Sequence, residues 1–185
     1  MEKNKRVLLH CCCAPDSTVP LQRLSVEGWD IVCAFYGSNI QPEEEFRWRL
    51  DDLKKITRLS AVPLRVLPYD PNSWIRATRF LASEPEGGSR CGLCFALQLI
   101  SAARCALEEG CGYLCTTLTI SPHKDPGRIH RIGKEISAKN GLEWLDRTWR
   151  KGGGFLESIH ESRRLGLRRQ DYCGCRYSSK GDETA

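Results

Sequence analysis

The sequence predicts an α/β fold, a mostly parallel sheet with helices on both faces, on three observations. Short apolar runs of strand length alternate with longer stretches of helical periodicity, five times along the chain. Helix-start and turn residues such as Pro15, Asp16, Gly28, Pro42, Gly110 and Gly141 punctuate them. A chain of 185 residues with 41% hydrophobic content has the material for one domain with a real core.

Each element has its own reason. "RVLLHCCC" is short and apolar, hence a strand, and Pro15, Asp16 and Ser17 then start a helix that runs through "STVPLQRLSVEG" to Gly28. "DIVCAFYGSN" is a second buried strand. Pro42 and three glutamates open a helix in which Phe46, Leu50, Leu53 and Ile56 keep a three–four spacing. "PLRVLPYD" is a third strand and "SWIRATRFLAS" the helix behind it. "CGLCFALQLISAARCALEEG" is the strongest helix, rich in Ala and Leu and stopped at Gly110. "YLCTTLTIS" is a fourth strand; Ile129, Ile132 and Ile136 mark a helix closed by Gly141, and "LEWLD" is a fifth strand. "GGG" at 152–154 is expected to be a flexible hinge before a last helix from Phe155 to about Leu165. Residues 1–178 are expected to form a single domain, and 179–185, "SKGDETA", a disordered tail.

Charge and composition narrow the partners. Residues 147–176 hold eight Lys or Arg against three acids, so this segment carries the whole net charge of +5. A local basic surface suits a polyanion such as nucleic acid, and a solvated helix face would look the same. The start "MEKNKRVLLH" fits no signal peptide, and no segment approaches about 18 uninterrupted apolar residues, so a cytoplasmic protein without a membrane partner is expected. Eleven cysteines in that reducing compartment point to metal or redox chemistry, and an odd count cannot pair completely.

Three cysteine groups stand out. In parallel α/β sheets, sites gather beyond the carboxyl ends of the strands, where "HCCC" ends the first one. Alternate strand side chains oppose each other, so only two of Cys11, Cys12 and Cys13 can turn towards one centre. Cys91 and Cys94, in "RCGLC", place two sulfurs one turn apart at a helix start that stabilises thiolates. Cys173 and Cys175, in "YCGC", suit a strained disulfide or a second pair of ligands. Thiolate pairs of this kind satisfy zinc and a cubane iron–sulfur cluster alike. Cys33, Cys105, Cys111 and Cys115 fall in strand or helix patterns and read as small buried hydrophobes. His10 and His123 lie at expected strand ends near the site, whereas His130 and His160 read as surface residues.

Together, "LLHCCCAPD", "YGSNIQPEEEFRWR", "SRCGLCF", "TTLTISPHK" and "RRQDYCGCRYS", in that order and spacing, resemble the QueH family of cobalamin-independent epoxyqueuosine reductases. The resemblance runs from about residue 6 to 178. It implies a single-domain Rossmann-like sheet of the nucleotide α-hydrolase kind, with a C-terminal helical, Cys-rich extension. It also implies a [4Fe–4S] cluster held by Cys12, Cys13, Cys91 and Cys94, and a redox-active pair at Cys173 and Cys175. Cys11 stands where the family has an apolar residue, Ser89 where an acid is common, and Asp16 where the family has cysteine. Asp16 would complete an unusual cluster, bind a second iron, or donate a proton.

The implied reaction turns an epoxide on the cyclopentane ring of a modified guanosine into an alkene. It consumes two electrons and two protons, loses the oxygen as water, and needs an electron donor from outside the chain. Asp16, His10 or His123 would supply protons, and Cys173 with Cys175 would store two electrons as a dithiol and pass them on by forming a disulfide. The substrate would be tRNA carrying epoxyqueuosine at the wobble position, a loop base that can be splayed into a pocket. Arg168 and Arg169 would hold phosphates, and Tyr172, Tyr36 or Trp149 would stack on bases. A zinc-stabilised RNA-binding module and a metal-free thiol–disulfide oxidoreductase are the competing readings, separable by iron, sulfide and zinc analysis.

Overall fold

The computed structural model describes residues 5–178; the expected disordered tail, 179–185, lies outside the described residues. Five strands form one parallel sheet: β1 (Arg6–Cys11), β2 (Asp30–Phe35), β3 (Leu64–Val66), β4 (Tyr113–Thr116) and β5 (Glu143–Trp144), in the order β3-β2-β1-β4-β5. Successive connections run outward from β1 in both directions, so the topology reverses between β1 and β4. Six α-helices accompany them: α1 (Ala14–Val26), α2 (Glu43–Leu59), α3 (Pro71–Thr78), α4 (Ser89–Glu108), α5 (Pro126–Lys139) and α6 (Gly154–Arg164).

The sheet is covered on both sides because its strands are apolar on both sides. Val7, Leu9, Cys11, Ile31, Cys33 and Phe35 point to one face, where Leu21, Leu24, Leu53 and Ile56 of α1 and α2 bury them, with α6 packed against α1. Leu8, Val32 and Ala34 point to the other, under Leu99, Ala102, Ala103 and Ala106 of α4, with α5 alongside. Among the described residues α4 is the one helix long and apolar enough to cross a membrane, and here it is a core helix. Small residues let helices approach closely: a methyl on Gly133 of α5 would lie 2.4 Å from the Trp144 ring.

Several boundaries differ from the sequence expectation, each for a local reason. The first helix begins at Ala14, not Ser17, since Pro15 fits the first helical turn and the extended Cys13 occupies the capping position. The expected helix over 73–83 is α3, capped by Asp70 through the Ser73 amide at 2.9 Å, followed by a 3₁₀ turn at Arg79–Leu81. The fourth strand stops at Thr116, and Leu118–Ile120 forms a 3₁₀ turn. Of the glycine triplet, Gly152 and Gly153 form a turn and Gly154 is the first residue of α6. Gly152 and Gly153 sit at φ of 61° and 79°, and a methyl on Gly154 would meet the Trp149 carbonyl oxygen.

Candidate functional site

The carboxyl end of β1 separates the three adjacent cysteines. Cys11 is the last strand residue and points into the core, its thiol donating to the Leu9 carbonyl at 3.4 Å. Cys12 leaves the strand at the switch point, where its amide donates to Oγ1 of Thr117, just beyond β4, at 3.2 Å. Its sulfur lies 3.3 Å from Thr117 Oγ1, 3.3 Å from Asp16 Oδ2 and 4.0 Å from Cys13 Sγ. Ligand atoms of Cys12, Cys13 and Asp16 all fall within 4.8 Å of one another, close enough for one metal ion. A hydrogen bond from Cys13 holds the Cys12 thiol below its ordinary range, and burial pushes Cys13 well above.

The first turn of α4 brings the second group. Gly87 donates its amide to Cys91 Sγ at 3.2 Å, and Gln98 donates Nε2–H to Cys94 Sγ at 3.1 Å. Burial raises both thiols, Cys94 to about 12, so a metal bound through them would have to displace their protons. Cys12, Cys91, Cys94, Cys173 and Cys175 line one narrow cavity of about 140 Å³. Trp74, Phe95 and Leu118 supply apolar wall.

The segment after α6 closes this cavity. Cys173 and Cys175 hold their sulfurs 3.6 Å apart as free thiols, and Ser178 Oγ lies 2.9 Å from Cys173. A hydrogen bond from Cys175 draws Cys173 down to about 5, while the same contact raises Cys175. Buried Arg49 of α2 places the pair: Nη1 donates to the Cys173 carbonyl at 3.0 Å and Nη2 to Tyr172 at 3.2 Å. Nε of the same guanidinium pairs with buried Glu45 at 2.7 Å.

A second, polar cavity of about 630 Å³ adjoins the first, a volume suited to a small organic ligand. The two share Cys12, Glu86, His123, Lys124 and Cys173. Asp16, Arg49, Phe155, Arg169 and Tyr172 also face the larger one. Burial opposes the charge on Lys124, but Cys12, Asp16, Cys13 and Cys173 around it prevail and raise its pKa. Nη1 of Arg150 holds that loop by the carbonyls of Ser121, Pro122 and Lys124 at 3.1, 3.4 and 3.0 Å.

Sequence-predicted residues therefore divide. Cys12, Cys13, Asp16, Cys91, Cys94, Cys173, Cys175, His123, Arg169 and Tyr172 gather around the two cavities or beside them. His10 does not: it is fully buried, bonds Thr116 Oγ1 through Nδ1 at 2.9 Å, and lines neither. Burial, assisted by Lys124, lowers its pKa to about 3 and keeps it neutral. Arg168 pairs with Glu45 at 2.6 Å and covers the Trp48 ring at 4.2 Å, which turns it from the polar cavity. Tyr36 and Trp149 are buried, the latter donating Nε1–H to the Thr116 carbonyl, so neither offers a face to a base. Lys124, Arg49 and Phe155 were not foreseen as site residues. Lys124 and Arg49 lie within the motifs "TTLTISPHK" and "YGSNIQPEEEFRWR", and Arg49 is one helical turn from Glu45; nothing in the sequence singled out Phe155.

Comparison with known proteins places this geometry. A family model described as epoxyqueuosine reductase QueH matches residues 7–181. Proteins named epoxyqueuosine reductase QueH are similar over most of their length. That from Streptococcus pyogenes serotype M1 is 35% identical over 94% of this chain and 70% of its own. That from Histophilus somni is 34% identical over 95% and 72%, and that from Thermotoga maritima 34% over 93% and 89%. Among solved structures, a subunit assigned to a tRNA methyltransferase from Methanocaldococcus jannaschii superposes with a TM-score of 0.55 over 85% of this chain and 74% of that one. At 11% identity that likeness shows the fold alone, a parallel five-stranded sheet flanked by helices.

Proposed function

This chain belongs to the QueH family of epoxyqueuosine reductases, and on that premise we propose that its two adjoining cavities divide the work of one reductive deoxygenation. The protein is an oxidoreductase of queuosine biosynthesis that reduces the epoxide of epoxyqueuosine in tRNA to the alkene of queuosine. A [4Fe–4S] cluster would be held by Cys12, Cys91 and Cys94 at the narrow cavity and by Cys13, whose sulfur lies 4.0 Å from that of Cys12, with a second iron accommodated at Asp16. Such a group supplies single electrons and a Lewis acid towards oxygen.

The donor set supports a cluster over a lone zinc. Tetrahedral zinc would draw four sulfurs to about 3.8 Å from one another, given its bond length to sulfur. Among the described residues no four ligand atoms are that compact: Cys12, Cys13 and Asp16 form a group of three within 4.8 Å, and Cys173 and Cys175 a separate pair at 3.6 Å. N–H donors on the sulfurs of Cys91 and Cys94 favour thiolates as well.

The remaining side chains take roles by position. The polar cavity receives the nucleoside splayed from the wobble position of the anticodon loop, with Tyr172 and Phe155 as stacking surfaces and Arg169 towards phosphate. Lys124, where the cavities meet, faces the departing oxygen with a fixed positive charge. Asp16 and His123 would pass protons, and Cys173 and Cys175, which hold two electrons as a dithiol, would deliver them by forming a disulfide. An electron donor of the cytoplasm regenerates the pair.

The observation that carries this reading is five cysteine sulfurs from three distant segments around one cavity at the switch point. Anaerobic purification with iron, sulfide and zinc analysis tests it. Four iron or more per chain is expected, falling severely in Cys91→Ser and not in Cys105→Ser. A colourless parent with one zinc would replace it by the structural-metal reading.

A further inference from the structure

The loop before the C-x-x-C turn is held from another layer of the fold. Arg128, in the first turn of α5, donates Nη1 to the carbonyls of Gly87 at 2.6 Å and Gly88 at 2.8 Å. Its stem lies over the turn itself, since a methyl on Gly92 would touch Arg128 Cδ at 3.6 Å. Gly87 in turn donates its amide to Cys91 Sγ. Gly87 has φ of +84° with open space around it, so the backbone there is shaped for this contact and not for packing. The element that carries Arg128 is firmly seated: Asp125 caps it through the Gly127 amide, and Ile129 is fully buried.

We propose that Arg128 is a positioning residue that fixes the Gly87 amide on the Cys91 sulfur, and so tunes the electron density that this sulfur presents to a bound metal group. The proposal rests on the reading of Cys91 as a ligand. Among the described residues Arg128 donates to these two carbonyls alone; the Gly88 carbonyl also accepts the Cys91 and Gly92 amides and Glu84 holds the Ser89 amide, so the Gly87 carbonyl is the contact that depends on Arg128. Without the guanidinium, nothing from α5 ties the two glycine carbonyls, and the amide drifts off the sulfur. A hydrogen bond to sulfur favours the more negative, reduced state, so its loss makes the group harder to reduce.

The test compares Arg128→Ala, Arg128→Lys and the parent by two readouts. In metal-free protein, amide exchange over 86–91 is expected to quicken by about tenfold in Arg128→Ala, with α5 and the sheet unchanged. In loaded protein of equal iron content, the ratio of reduced to oxidised cluster at the parent's midpoint should fall about fivefold, with Arg128→Lys between. Faster exchange with an unchanged midpoint would make Arg128 a structural tether only and overturn the tuning. Unchanged exchange would overturn the tether too. A parent that takes up no iron would instead defeat the ligand reading, and the exchange comparison would still decide what Arg128 holds.

Discussion

Asp16 sits in the first turn of α1 with its carboxylate 3.3 Å from the Cys12 sulfur. An aspartate at a helix start is ordinarily a cap, but here the capping position belongs to Cys13, which makes no side-chain cap bond. Asn at this position therefore loses no cap, only a favourable charge near the helix start, costing less than about 1 kcal/mol. Asp16→Asn is expected to melt like the parent and to reduce epoxyqueuosine about 100-fold more slowly, as read by nucleoside chromatography of the tRNA. Asp16→Cys, which restores the family's residue, should keep its iron. Parent rate and parent iron in Asp16→Asn would leave the carboxylate without a catalytic part. Cys11 shows the opposite case: its chemistry is that of its neighbours, and strand alternation alone makes it core.

The basic stretch 147–176 splits, at the scale of elements, into clamps and a contact surface. Arg147 pairs with Glu27, Arg164 with Glu161, and Arg150 grips the carbonyls under Lys124. Arg168 ties the segment after α6 down onto α2 through Glu45 and Trp48, whereas Arg169 lines the polar cavity with Phe155 beneath it. Neighbours in sequence should thus fail differently. Arg168→Ala is expected to cost about 1 kcal/mol of stability, seen as a lower melting temperature. Arg169→Ala should melt normally, bind tRNA more weakly, and lower the slope of log affinity against log salt by about 1. Equal salt slopes for Arg169→Ala and the parent would remove this arginine from the tRNA surface. Charge counting found the segment but could not sort it, because the acids that pair with Arg147 and Arg168 lie far off in the chain, Glu27 just after α1 and Glu45 in α2.

The whole molecule buries a two-sided sheet without help from the cavity, so metal and fold are separable. Removing the metal group with a chelator under reducing conditions should leave the far-UV circular dichroism and a cooperative melt in place, while absorbance and reductase activity vanish. Collapse of the helical signal would mean that the thiolate site is a folding staple, as in small zinc domains. The sequence by itself determined the five strands, their mostly parallel use and the placing of "HCCC" at a strand end. Those features are local, written in apolar period and in Pro and Gly punctuation. Only the tertiary structure decided which side chains share the cavity. Arg49 reaches Cys173 across 124 positions, Thr117 meets Cys12 across 105, and His10, one residue from the cysteines, is turned into the core. A strand turns each residue away from the next, while crossovers carry distant loops to one edge of the sheet; proximity in the chain is therefore a poor guide to proximity at the site.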